Sequence, residues 1–261
     1  MLPAPTDDLD RAEHDLHEHG ICAVRDVLQG AELDEVHTEL YAAAARDRAR
    51  GREVAFGLDY AHDTSNQRVW NVLSRSPVFA DLVEHPVALR LLKSVLGWPM
   101  LLGNLSANIT GPGGGEMILH ADQIFVPTPW PAEPQGANAA WCVDDFTAEV
   151  GATCFVPVSH VLNRPPTASE HASAEPVPME APAGSVVVFD SRLWHRTGNN
   201  VTADRTRAGI FGWYTRPIYR TQENWFLSLD PSVRQYASDD LLVLLGWKTV
   251  GLGLVNGASP A

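Results

Sequence analysis

From Pro99 onward the chain breaks into short, mostly apolar runs at 100–109, 117–126, 137–143, 152–157, 184–190 and 206–215, separated by Gly, Pro, Asn and Asp clusters. Many short strands with turn signals between them point to an antiparallel sandwich or barrel. What precedes is mainly helical. Leu9, Ala12 and Leu16 share one face of a helix over 7–19 that Gly20 closes, and Gly20 to Val24 reads as a short strand. A second helix starts near Ala31 with Leu33, Val36 and Leu40 in register, and helical stretches follow at 76–84 and 86–96, ended by Gly97 and Pro99. Ser232 to Leu245 reads as helical, and Trp247 to Gly257 is a Gly-rich tail. Without repeats or a clear linker, one domain is expected: a helical part over about 1–98, a barrel core over about 99–216 and a C-terminal helix and tail over 217–261.

Within the barrel part, His120-Ala-Asp122 lies between Met117-Ile-Leu119 and Ile124-Phe-Val126, so it reads as part of a buried strand. Residues two apart on a strand share a face, which sends both side chains into one space. An imidazole beside a carboxylate makes two thirds of the 2-His-1-carboxylate set that holds non-haem Fe(II). His195, after the apolar run Gly184–Asp190, is the candidate third ligand. Arg207 opens the next strand, where its guanidinium fork suits a carboxylate; Arg205 is the alternative, in the loop. His37-Thr-Glu39 is rejected as a metal pair, because residues two apart on a helix point about 200° apart. His14, His17 and His19 read as a solvated face, His160 as a structural histidine and Trp213 as a core aromatic.

Taken together with Arg68-Val-Trp-Asn71, Gly151-Ala-Thr-Cys-Phe-Val-Pro-Val-Ser-His160 and Phe189-Asp-Ser-Arg-Leu-Trp-His195, these motifs resemble, in order, the phytanoyl-CoA dioxygenase family of Fe(II)- and 2-oxoglutarate-dependent oxygenases. The resemblance implies a double-stranded β-helix core of the jelly-roll, cupin-like kind with flanking α-helices. It implies His120, Asp122 and His195 as catalytic iron ligands, Arg207 as the partner of the distal carboxylate of 2-oxoglutarate, Thr153 as a hydroxyl near that carboxylate and Trp141 as an aromatic lining its pocket. Two departures stand out: Pro157-Val-Ser-His160 replaces the usual Pro-Gly-Ser-His, and Met117 stands where a number of relatives carry a glutamine. The implied reaction uses Fe(II), 2-oxoglutarate and O2 and releases succinate and CO2, with hydroxylation its simplest outcome.

Composition bears on the substrate. The net charge is −13 and the lysines are Lys93 and Lys248, a field that repels phosphate backbones and argues against nucleic acid as a partner. It also argues against an acyl-CoA, whose phosphates are normally met by clustered cations, although an acyl-CoA hydroxylase is the alternative that the family suggests. A Zn(II) hydrolase and a non-catalytic metal-binding barrel are further alternatives. Tyr60, Trp70 and Gln123 are candidate substrate contacts. The segments 51–70 and 161–182, with Trp130 nearby, are expected at the substrate mouth and suggest a small, largely apolar metabolite. No apolar run approaches the roughly 20 residues that span a bilayer, the start lacks the features of a signal peptide, and Cys22, Cys142 and Cys154 read as reduced thiols. A cytoplasmic monomer or homodimer without membrane contact is expected.

Overall fold

The computed structural model describes residues 1–51, 65–249 and 251–261. Helix α1 (Leu9–His19) is capped by the Asp8 carboxylate, which accepts from the backbone N–H of Asp10 and Arg11, and it ends at Gly20 with φ +73°. Gly20 is required twice over. Its backbone is left-handed, and a Cβ there would lie 2.6 Å from the His160 ring. Strand β1 (Ile21–Val24), helix α2 (Ala31–Ala49), strand β2 (Asn66–Val69) and helices α3 (Val78–Val83) and α4 (Pro86–Leu96) follow.

The sheets come next, with β3 (Leu101–Thr110), β4 (Gly136–Cys142), β5 (Thr153–Phe155), β6 (Val177–Pro178), β7 (Val186–Asp190), β8 (His195–Thr197) and β9 (Arg207–Thr215). A six-stranded sheet has the order β1-β7-β4-β9-β3-β2 and a three-stranded sheet the order β6-β5-β8, with antiparallel pairing throughout. The expected jelly-roll core is thus built from two sheets, with no closed ring of strand pairs among the described residues.

Alternation along β1, β7 and β4 divides their residues between two cores. Val186 and Val188 of β7, Ala137, Ala139 and Trp141 of β4, and Leu105, Ala107 and Ile109 of β3 pack with α1–α4 and with the C-terminal Leu241, Leu244 and Leu245. Val187 and Phe189 of β7, with Ala140 and Cys142 of β4, pack instead with Phe155 and Met179 beside the small sheet. Two-residue periodicity is what lets one sheet serve helices on one side and a second sheet on the other.

Several expectations need correction. The run 117–126 is not a strand: it makes a single bridge, His120 to His195, and then turns through a 3₁₀ segment, Asp122–Phe125. Ile118, Ile124 and Phe125 are 52%, 57% and 68% exposed, while Leu119, Ala121 and Val126 are buried in a small separate cluster with Trp130 and Trp194. β2 and β8 add short strands outside the expected runs, and 161–182 contains a short helix, α5 (Ala168–Ser173), as well as β6. The C-terminal helical region is two pieces, α7 (Val233–Tyr236) and α8 (Asp239–Leu244), preceded by α6 (Trp225–Ser228). No described helix is long and apolar enough to cross a membrane, and all three cysteines are free.

Candidate active site

His120, Asp122 and His195 meet at one end of the small sheet, each offering one ligand atom, all within 4.8 Å of one another. The backbone places the two histidines. His120 N–H donates to the His195 carbonyl at 2.9 Å, and His195 N–H donates back to the His120 carbonyl at 2.8 Å. Each ring then uses Nδ1 on a carbonyl two residues upstream, Ile118 for His120 and Leu193 for His195, both at 2.9 Å. A neutral imidazole that donates through Nδ1 keeps its lone pair on Nε2. Both Nε2 atoms face Asp122, with His120 3.5 Å from Oδ1 and His195 3.5 Å from Oδ2. Burial, opposed by the Asp122 charge, pushes the His195 imidazole down to about 4, so it is neutral and able to ligate at physiological pH. Asp122 is brought to this point by the 3₁₀ turn rather than by strand alternation.

The carboxylate is itself oriented. Asn138 Nδ2 donates to Asp122 Oδ2 at 3.0 Å and to Ser191 Oγ at 3.2 Å, while Trp213 Nε1 reaches the same hydroxyl at 3.1 Å. Asn138 and Trp213 were not singled out as site residues from the sequence. Trp213 had the expected place of a core aromatic, yet it is half-buried and lines the chamber beside the triad. That chamber, of about 350 Å³, is also walled by Arg68, Trp70, Met117, Ile118, Thr153 and Phe189.

Arg207 lies at the first position of β9, opposite Thr110, with no solvent exposure. Its Nη2 donates to the Gly151 carbonyl, two residues before Thr153, while its Nε and Nη1 are buried without an acceptor among the described residues. The guanidinium carbon lies 4.5 Å from the centre of the Phe146 ring, and burial pushes its pKa down to about 10. A sealed cation with open donors fits an incoming carboxylate. Arg205, by contrast, is exposed and pairs with the exposed Glu149. Tyr41 of α2 helps fix the start of β9: its hydroxyl donates to Asp144 Oδ2 at 2.6 Å, which also accepts from Ala208 N at 2.8 Å.

Other expected positions fall differently. Trp141 does not line the chamber: on β4 it lies three residues from Asn138 and so faces the helices, where its ring meets His85 edge-on at 5.2 Å. Gln123 is 1% exposed and braces a loop, its Oε1 accepting from Gln135 N at 2.9 Å. Trp130 is buried, with Nε1 donating to the Val126 carbonyl, and no residue of 161–182 lines the chamber. Tyr60 lies outside the described residues. The wall contributed by β3 is polar, consisting of Asn104, Ser106 and Asn108, which departs from a largely apolar site.

The phytanoyl-CoA dioxygenase (PhyH) family matches residues 16–209. A dioxygenase of Aspergillus fumigatus, af480, is 36% identical over 260 residues, covering 96% of this chain and 84% of that protein. Among solved structures, the epimerase SnoN in complex with Fe3+, α-ketoglutarate and nogalamycin RO superposes with a TM-score of 0.65 at 23% identity, over 89% of this chain and 93% of that one. HygX of Streptomyces hygroscopicus, with nickel, 2-oxoglutarate and hygromycin B bound, superposes with a TM-score of 0.64 at 16% identity, over 81% and 88%. The fold they share with this chain is the cupin-like jelly roll. With its two open imidazoles, one carboxylate and sealed arginine, the chain belongs to the phytanoyl-CoA dioxygenase family and is an Fe(II)- and 2-oxoglutarate-dependent oxidoreductase.

Proposed function

We propose that this single-domain protein hydroxylates a C–H bond of a compact small molecule, with His120, Asp122 and His195 as the iron ligands and with Arg207 and Thr153 holding 2-oxoglutarate. The observation that carries this reading is the pairing of two features. Two imidazoles are pinned through Nδ1 with both Nε2 atoms turned to one carboxylate, and a fully buried guanidinium keeps two donors open. Bound iron supplies the oxidation: O2 is reduced, 2-oxoglutarate becomes succinate and CO2, and one oxygen atom enters the substrate C–H bond as a hydroxyl.

The chain's own residues bind, orient and exclude water. Asn138 holds the Asp122 carboxylate through Oδ2, which limits its rotation. Phe155 and Phe189 pack on the His195 ring at 5.6 and 5.0 Å and keep that side dry. The Arg207 fork fixes the far end of the cosubstrate, and Trp70, Ile118 and Trp213 wall the space left for the substrate.

An acyl-CoA remains the less favoured substrate, because among the described residues that line the chamber Arg68 is the one Arg or Lys. The test is succinate release with Fe(II), 2-oxoglutarate and O2 against a metabolite panel, in wild type and Asp122→Ala. Loss of turnover in a folded variant is expected. Undiminished succinate formation by Asp122→Ala, or turnover that persists without O2, would overturn the reading.

A further inference from the structure

The strand β3 presents Asn104, Ser106 and Asn108 to the chamber while Leu105, Ala107 and Ile109 go to the helix-side core. Asn104 stands out among them. It is 8% exposed, its Nδ2 donates to Gln222 Oε1 at 2.6 Å, and its Oδ1 is buried with no donor among the described residues. Turning one amide alone would oppose two oxygens or two NH2 groups, so the pair can turn only together, and that keeps the same balance. The pair uses one N–H and one C=O on itself and leaves one carboxamide oxygen and one NH2 group for something else. A buried carbonyl without a donor is unfavourable, and an oxidase chamber lined for alkyl groups has no use for one.

Beside this amide lies an aromatic platform that the backbone has been shaped to admit. Gly103 occupies the β-bulge of β3, and a Cβ there would lie 2.4 Å from the six-membered ring of Trp213. A Cβ at Gly136 of β4 would lie 2.9 Å from Trp213 Nε1 and 2.9 Å from Ser191 Oγ. Two sheet glycines thus leave room for the indole, Ser191 holds its nitrogen at 3.1 Å, and Phe125 packs 5.9 Å away. An aromatic face is electron-rich and attracts the polarised C–H groups of an oxygenated ring, while hydroxyls at the ring edge need acceptors and donors of the carboxamide kind.

We propose that the substrate is a neutral, hydroxyl-bearing ring compound, a glycoside or cyclitol, whose hydroxyls pair with Asn104 and Gln222 and whose ring face lies on Trp213. This rests on the oxygenase reading above and deepens it by naming the substrate class. It replaces the apolar molecule expected from the sequence with one that has an apolar face and a polar edge.

Binding can be measured without turnover. The anaerobic Fe(II)/2-oxoglutarate holoenzyme is titrated with phenyl β-glucopyranoside, methyl glucoside and myo-inositol, and separately with limonene and decane, using saturation-transfer NMR and calorimetry. At least one polyol should bind, and Asn104→Leu and Gln222→Leu should each weaken it about tenfold or more, with 2-oxoglutarate affinity unchanged. Gln222 is exposed, so its variant remains informative if Asn104→Leu folds poorly. Binding of the hydrocarbons but of no polyol, failure of every polyol to bind, or polyol binding unaltered in both variants would each overturn the proposal. Substrate-independent succinate release by the same preparation reports on the oxygenase reading alone, so the two can fail separately.

Discussion

Replacing Arg207 with methionine should have opposite effects on the empty and the cosubstrate-loaded protein. Without cosubstrate, Arg207 is a sealed cation whose Nε and Nη1 have no acceptor among the described residues. Its pKa falls from the ordinary 12.5 to about 10, a displacement equivalent to roughly 3 kcal/mol of unfavourable burial. The sign follows from linkage: a base whose folded pKa lies below its unfolded one costs stability wherever both forms are protonated, and the cost fades as pH rises through about 10. Methionine fills much of the same volume without charge, so the cosubstrate-free variant should melt no lower than wild type and up to several degrees higher. With 2-oxoglutarate present the order reverses. Losing one partner of a desolvated charge pair costs roughly 2–5 kcal/mol, which is about 30-fold to several thousand-fold in cosubstrate affinity. Calorimetric titration of 2-oxoglutarate into the anaerobic Fe(II) protein, alongside thermal melts with and without cosubstrate, reads both halves. Arg205→Ala, which loses only an exposed pair with Glu149, is the control. If Arg207→Met bound 2-oxoglutarate within about threefold of wild type, or if Arg205→Ala were the variant that lost it, the reasoning would fail.

Two further outcomes are expected. Asn138→Leu removes the donor to Asp122 Oδ2 and should weaken iron binding about 10- to 100-fold, measured by competition with a chelator; unaltered affinity would show that the carboxylate needs no outer support. Gly20→Ala forces a side chain into a left-handed residue and against His160, and should cost about 2 kcal/mol or more, seen by calorimetry as a lower Tm; an unchanged Tm would mean that His160 moves away freely.

Sequence periodicity was enough to place most of the large sheet, because Val186–Val188 and Leu105–Ile109 carry the side chains that its two cores need. It failed where burial and polarity part company. β2, Asn66–Val69, is buried yet mostly polar: Arg68 lines the chamber, Gln67 bonds the Ala44 carbonyl of α2 and Val69 joins the core, so the segment lacks the apolar run of a core strand. The opposite error occurred at 117–126, where Ile118, Ile124 and Phe125 are exposed beside the chamber while Leu119, Ala121 and Val126 bury against Trp130 and Trp194 rather than in a sheet. Short α5 did leave a signal, the capping box Thr167 to Glu170, hidden among alanines and prolines. That His120, Asp122 and His195 meet could be anticipated because residue type and order survive an error in local geometry; the side that Trp141 faces could not, because it depends on strand parity. Asn138 has the right parity, and the alternation Asn104-Leu-Ser-Ala-Asn108 announced a polar wall that went unread.

The reciprocal backbone bonds between His120 and His195 give the metal site a fixed jaw and a moving one. Both imidazoles are set by the sheet and by their own upstream carbonyls, so their separation is settled during folding and does not wait for an ion. Asp122 stands on a short 3₁₀ turn with a side chain 28% exposed, restrained chiefly by the amide of Asn138. Any adjustment to ions of different radius would therefore fall on Asp122, within the range that Asn138 leaves it, while the imidazole pair stays still. The site's tolerance for metal exchange is thus a property of one turn and one asparagine, separable from the sheet that holds the rest.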